Sequence, residues 1–276
     1  MGDNGPRAFR WRLAGGERPP LQAALRVGMA TRAAVYRGAE MRGLMPLPDA
    51  FHRGSDGAHR HAFWLAEDTD RDGRIDHAIL FTPSGIPWPL LPVLAEPRRL
   101  SLADLGHWRL LPDSMGDRLP GALFGPARRW VSATAYVTPL PRTRMRAGGE
   151  SCVLDAAQQL RWEIGGRKLA TAPSGRRARL IELAFAPDIV RGACIVPAVG
   201  FTLKARRFSG LGGGEKAPPH WTAPPDAVQT AAALAFDRPV CGPLAFGFGA
   251  HFGLGLFEAA DGALTAAHRR AIGGHD

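Results

Sequence analysis

At 276 residues the chain lies near the size at which single hydrophobic cores stop growing, which leaves one large domain or two halves of roughly 130 residues. An apolar fraction of 45% with seven tryptophans and thirteen phenylalanines is ample for a core and excludes an intrinsically disordered chain. A formal charge of +10 and a pI near 10.8 point to a polyanionic partner, nucleic acid first, because basic side chains gain affinity by displacing counterions from phosphates.

In chain order, Arg7 to Leu13 alternates Phe9, Trp11 and Leu13 with arginines and reads as a half-buried strand. Pro19 and Pro20 open an amphipathic helix over Leu21 to Met41. Leu44 to Ala58, rich in Pro, Gly and Asp, reads as a loop carrying His52. His59 to Ala66 and Ile75 to Thr82 form a hairpin around an acidic turn that ends in Asp72-Gly73. Leu90 to Leu105 has weak helical character broken by Pro92 and Pro97, and His107 to Leu111 is a closing strand. Strand, helix, hairpin, helix, strand is the ferredoxin-like plan.

A Gly/Pro-rich junction from Pro112 to Pro126 follows, after which the order repeats. Trp130 to Val137 is a strand, Cys152 to Ile164 an amphipathic helix, Arg179 to Phe185 and Val196 to Phe208 strands, and Gly210 to Pro225 a loop. Thr230 to Phe236 and Leu254 to Ala259 complete the set around a glycine-rich segment. The expectation is an α+β chain of two tandem ferredoxin-like (RRM-like) domains, residues 1–115 and 126–265.

The basic residues are nearly all arginine, with only Lys168, Lys204 and Lys216 as lysines. Arginine forks onto phosphates and stacks on bases; coding bias explains part of the ratio but not the net charge. Cys152, Cys194 and Cys241 are isolated and lack the spacing of a zinc or redox motif, which fits a reducing cytoplasm. Met1 is followed by polar residues and no run of eighteen apolar residues occurs, so neither export nor a membrane partner is expected.

Three segments carry chemistry. In Gly242 to Phe257, Gly247, Gly249, Gly253 and Gly255 alternate with apolar residues; such glycines let amides approach phosphates, while Phe248 and Phe252 offer stacking surfaces and His251 positions RNA or stabilises charge. The plainer reading is a glycine-weakened strand or bulge. In the second segment His59 and His61 share a strand face with Phe63, and Arg60 points to the other. A histidine there could take a proton from a ribose 2′-hydroxyl, could hold a metal with Asp76 or His77, or could be a hydrogen-bonded structural residue. Asp68, Asp70, Asp72 and Gly73 open like a calcium loop, but the twelfth position is Ile79, so an acidic hairpin turn is favoured. The third segment clusters Arg128, Arg129, Arg142, Arg144 and Arg146 around a strand, suited to phosphate contacts or to a solvated rim.

H-R-H-A-F-W with D-x-D-x-D-G-R-I-D-H, then W-V-S-A-T-A-Y-V-T-P, then G-P-L-A-F-G-F-G-A-H-F-G-L-G-L-F, in that order over residues 7 to 257, resemble the repeat-associated RNA-binding superfamily of CRISPR systems. The match is to the processing half of the fused backbone-and-processing subunit of type I-U (I-G) systems. The resemblance implies a glycine-rich loop on RNA and cleavage of precursor CRISPR RNA by its own 2′-hydroxyl, leaving a 2′,3′-cyclic phosphate with no metal or other cofactor. By position it makes His52, His59 and His61 the catalytic candidates without choosing among them; the shared strand face of His59 and His61 and the loop placement of His52 set the order of preference as His61, His59, then His52. The backbone and large subunits of a type I effector complex are further implied partners. The fused subunits carry an N-terminal backbone-type region absent from this sequence. An RNA-holding subunit that does not cut, and a metal-dependent hydrolase on His59, His61 and Asp76, are the alternative readings.

Overall fold

The computed structural model describes residues 5–51, 61–141, 143–145, 151–167, 169, 178–185, 224 and 227–260. The chain divides into two compact units, Met1–Gly125 with Gly249–Gly253, and Pro126–Phe248 with Leu254–Asp276.

In the first unit, β1 (Ala8–Ala14) buries Phe9, Trp11 and Leu13 on one face and leaves Arg12 exposed on the other. Helix α1 (Ala24–Met41) is rich in alanine, the residue that loses least on entering a helix, and buries Val27, Ala34, Val35 and Ala39. Gly28 lets it approach closely, since a Cβ there would meet the backbone of Trp64 and Phe252. β2 (Phe63–Glu67) and β3 (His77–Phe81) form the expected hairpin. Its turn is closed by Asp68, which accepts hydrogen bonds from the amides of Arg71, Asp72 and Gly73 at 2.7, 3.2 and 2.9 Å, a local alternative to regular structure that aspartate favours. The stretch expected to be weakly helical splits into α2 (Leu91–Ala95) and a strand, β4 (Arg98–Leu102), because the proline at 97 stops the helix. β5 (Gly106–Gly116) runs five residues past the expected Leu111, so the Gly/Pro-rich junction begins later than its composition suggested. The antiparallel sheet has order β2-β3-β1-β5-β4. Without the added edge strand β4, this is the ferredoxin-like order.

The second unit repeats the order. β6 (Ala127–Ser132), α3 (Ala156–Gly166), β10 (Leu180–Phe185), β12 (Ala232–Val240), β13 (Leu244–Ala245) and β14 (Leu256–Ala259) build a sheet of order β10-β12-β6-β14-β13. Strand for strand this matches the first unit, with β6 in the place of β1 and the β13–β14 pair in the place of β4–β5. Two small ladders, β7 (Tyr136–Val137) with β11 (Gln229–Thr230) and β8 (Thr143–Met145) with β9 (Ser151–Val153), are added. The expected single strand Trp130 to Val137 is therefore β6 and β7, serving different sheets. The helix starts at Ala156 rather than Cys152 because Asp155 caps it: its side chain accepts from Gln158 N at 2.7 Å while Gln158 Oε1 accepts from Asp155 N at 3.0 Å. Trp130, Tyr136, Leu160, Phe236, Phe246 and Phe257 form the core. The strand expected over Val196 to Phe208 and almost all of the loop expected over Gly210 to Pro225 lie outside the described residues. Among the described residues no helix is long and apolar enough to cross a membrane.

Candidate functional site

Within the first unit, the bend before β2 carries His61, and β2 begins only at Phe63. His61 is therefore not a strand residue, and its position does not follow from strand alternation. The five residues Gly249–Gly253, grouped with this unit, form a 3-10 turn, Ala250–Phe252, with left-handed glycines on either side, φ 73° at Gly249 and 89° at Gly253. That turn lies against β2: a Cβ at Gly253 would come within 3.3 Å of Ala66 N. Since β2 is an edge strand, the turn also shields backbone that would otherwise be open to pairing.

The turn brings His251 to His61, with ring centroids 5.2 Å apart, and stacks it on Phe63 at 4.2 Å with 22° between planes. Both histidines are half-buried. His251 Nδ1 lies 3.3 Å from the carbonyl oxygen of Ala62. A carbonyl only accepts, so this contact places the proton on Nδ1 and makes Nε2 the basic nitrogen of the neutral ring. Sequence reasoning ranked His251 below His61; a histidine flanked at two residues' distance by turn-forming glycines was the available signal. His52, His59 and Arg60 lie outside the described residues.

The cradle expected of the glycine-rich segment needs amides that face a ligand, and most are spent inside the protein. Gly247 N donates to Glu163 Oε2 at 2.9 Å, Phe248 N to Val137 O at 2.9 Å, Phe252 N to Gly249 O at 2.8 Å, Gly253 N to Ala250 O at 3.5 Å and Gly255 N to Ala135 O at 2.8 Å. Phe252 is buried, which removes it as a stacking platform, whereas Phe248 is half-buried. At Gly247, φ is 87° and a Cβ would press on the Tyr136 ring. Gly247 and Gly255 are closely packed against backbone, and Gly247, Gly249, Gly253 and Gly255 all have positive φ.

A buried network in the second unit escaped sequence reasoning. Glu163 on α3 accepts from Tyr136 OH at 3.0 Å and from Gly247 N, and pairs with Arg167 at 3.3 Å. Arg167 also donates to Ala245 O and lies over the Phe246 ring at 4.6 Å. Burial pushes the Glu163 carboxyl and the Tyr136 hydroxyl up and the Arg167 guanidinium down. A Glu and an Arg four apart are common on exposed helix faces, so the pattern alone gave no sign of burial.

The metal reading that joins His61 to Asp76 fails on distance. The span from His61 to Glu67, most of it β2, is roughly 20 Å at about 3.3 Å per residue, and Asp76 lies at the Glu67 end, its amide donating to Glu67 O at 2.9 Å. His77 is at that end too, opposite Glu67. Asp76 is instead held by Thr69 N at 2.6 Å, by the Thr69 hydroxyl at 2.5 Å and by Arg18. Asp68 and Asp70 lie near it, in the acidic hairpin turn that the sequence favoured. Arg128 and Arg129 are exposed on β6; Arg144 is on β8 with its side chain outside the described set, and Arg142 and Arg146 lie outside it entirely.

The strand order defines the chain as an α+β protein of two tandem ferredoxin-like units. No protein-family model matches it, and no curated protein matches it. Among solved structures it is similar to one described as a CRISPR endoribonuclease Cse3 bound to 19 nt RNA, at 16% identity over 91% of this chain and 99% of that one, with a TM-score of 0.29. A second, described as CRISPR associated protein Cas6, is 9% identical over 92% of this chain and 98% of that one, with a TM-score of 0.36.

Proposed function

We propose that this protein is a CRISPR repeat-processing endoribonuclease in which His61 and His251 share the acid and base work of cleavage by the RNA's own 2′-hydroxyl. The observation that carries the reading is the imidazole pair, 5.2 Å between centroids, with His251 stacked on the Phe63 ring. Two imidazoles that close can bracket one phosphodiester. His251 Nε2, basic because Nδ1 faces Ala62 O, takes the 2′-proton; His61, as imidazolium, protonates the departing 5′-oxygen and offsets charge on the phosphorane. The products are a 2′,3′-cyclic phosphate and a 5′-hydroxyl, and the basic composition of the chain supplies the attraction for RNA. None of these steps requires a metal.

The test is cleavage of the cognate repeat RNA by purified protein in EDTA. His61→Ala and His251→Ala should each lower the single-turnover rate by two orders of magnitude or more, the general scale of acid-base contributions, while repeat binding persists. Each should also remove one limb of the pH-rate profile. Undiminished cleavage of a repeat with 2′-deoxyribose at the cut site would sink the mechanism. Tight binding with no cleavage by the unmodified protein would support an RNA-holding subunit instead.

A further inference from the structure

The face of the first sheet turned away from α1 carries an arginine pattern that the histidine site does not use. Arg99 on β4 and Arg109 on β5 are cross-strand partners in register, and both are exposed. Ala14 is the β1 partner of Arg109, so Arg12, two residues back on β1, projects from the same face and is exposed as well. Ser101 and His107, also paired and exposed, extend the face along the hairpin. On the other side of the same strands, Leu13, Leu100, Trp108 and Leu110 are buried, so the arginines are fixed outward by strand alternation and cannot turn in.

Like charges directly opposite each other on a sheet are destabilising, whereas a carboxylate in that place would stabilise the pair. None is supplied. The acidic residues around these strands are taken up elsewhere: Glu17 pairs with Arg74, Asp104 with Arg26 and Asp113 with Arg10. Among the described residues Arg12, Arg99 and Arg109 have no ion-pair partner. Neighbouring strands are about 5 Å apart, so three guanidiniums on long stems cover a patch that successive phosphates of one strand can span, and the guanidinium fork suits phosphate oxygens.

We infer that Arg12, Arg99 and Arg109 form a phosphate-binding face for single-stranded RNA, independent of its sequence and separate from the His61–His251 pair. The inference rests on the nucleic-acid part of the proposed function and not on cleavage. Guanidinium contacts to phosphate oxygens position a strand without reading its sequence, so the face grips the backbone and leaves selection of the cut site to other contacts.

The full chain is titrated with a fluorescent single-stranded RNA of non-repeat sequence over a range of salt. Arg99→Thr with Arg109→Thr should weaken binding about tenfold at low salt and reduce the slope of log affinity against log salt by about 1.4, at roughly 0.7 per lost phosphate contact. The thermal midpoint should hold or rise, because the like-charge pair is gone and threonine suits a strand. Arg37→Thr with Arg118→Thr, an equal change of charge at exposed positions off this face, should leave affinity within about twofold. Equal losses in both doubles, or no loss in the first, would overturn the inference. If the β4–β5 double fails to fold, Arg12→Thr on β1 decides alone, with an expected slope change of about 0.7. Cleavage is not read, so a chain that binds through this face yet cuts nothing would refute the nuclease reading and leave this one standing.

Discussion

Glu67 shows how one buried carboxyl couples the first unit to pH. It ends β2 opposite His77, is 6% exposed, and has Arg10 Nη1 at 3.5 Å. Burial pushes its pKa up to about 7 against the pull of Arg10, with Asp76 and Asp113 adding to the rise. Since the folded-state value exceeds the ordinary 4.5, its stabilising contribution is complete below about pH 4.5 and is lost as pH rises through about 7. The loss is about 3 kcal/mol from the size of the shift. Glu67→Gln should therefore flatten the fall in urea-unfolding free energy between pH 5 and 7 and leave the variant more stable than the parent at pH 8. A parent curve that does not fall over that range would refute the buried, neutral carboxyl. The same residue-scale logic revises the glycines of the candidate loop. Replacing Gly253 with a β-branched residue should strain φ 89° beside the β2 backbone, so a loss of RNA binding there would report on folding before it reported on phosphate contact.

At the scale of elements, α3 owes its place in the second unit to more than its apolar stripe. Leu160 and Ile164 reach the core, but Glu163 on the next position ties the helix to Tyr136, to Gly247 N and to Arg167. Glu163→Ala would leave a largely buried guanidinium without its carboxylate, and removal of one partner of such a pair costs about 3–5 kcal/mol. Glu163→Gln keeps an oxygen to accept from Gly247 N and places its NH2 on the Tyr136 hydroxyl oxygen, which can accept, and should cost clearly less. Thermal denaturation of the two variants checks this; equal midpoints would mean that the hydrogen bonds glutamine keeps add nothing and that the loss of the carboxylate charge accounts for the whole effect. The twin hairpins β4–β5 and β13–β14 use equivalent edge positions differently. One has a short turn and an open arginine face, while the other is drawn out by the glycine-rich segment.

For the whole molecule, a charge of +10 is a statement about partners and not about fold. Log affinity of the intact protein for its repeat RNA should fall linearly with log salt, with a slope of about −0.7 for each phosphate neutralised. A flat dependence from low to physiological salt would count against an electrostatic track and return the arginines to compositional bias. The ion pairs already formed, Arg10 with Asp113, Arg26 with Asp104 and Arg42 with Glu96 among them, are unavailable to RNA, so the slope should be well below what the total number of arginines would give.

The sequence by itself determined the α+β class, β1, α1, the acidic hairpin and the repeated strand order, because each rests on local periodicity or turn chemistry that neighbouring residues express. Phe9, Trp11 and Leu13 declare a strand face without help from the rest of the chain, and Asp72-Gly73 declares a turn. Boundaries were less legible where two local signals compete. Cys152 continues the apolar pattern of α3, yet Asp155 caps the helix; Arg98 to Leu102 sits in a stretch that reads as broken helix, yet pairs with β5. Only the tertiary structure brought the two histidines together. His61 and His251 are distant in sequence, and no local rule relates a bend before β2 to a turn between β13 and β14; their meeting depends on Gly253 fitting against Ala66. The same holds for the glycine-rich segment, whose spacing fits both a phosphate cradle and close packing. Hydrogen bonds from Gly247 to Glu163 and from Gly255 to Ala135 commit those two amides to the protein's own acceptors, which are distant in sequence and which no local spacing could show.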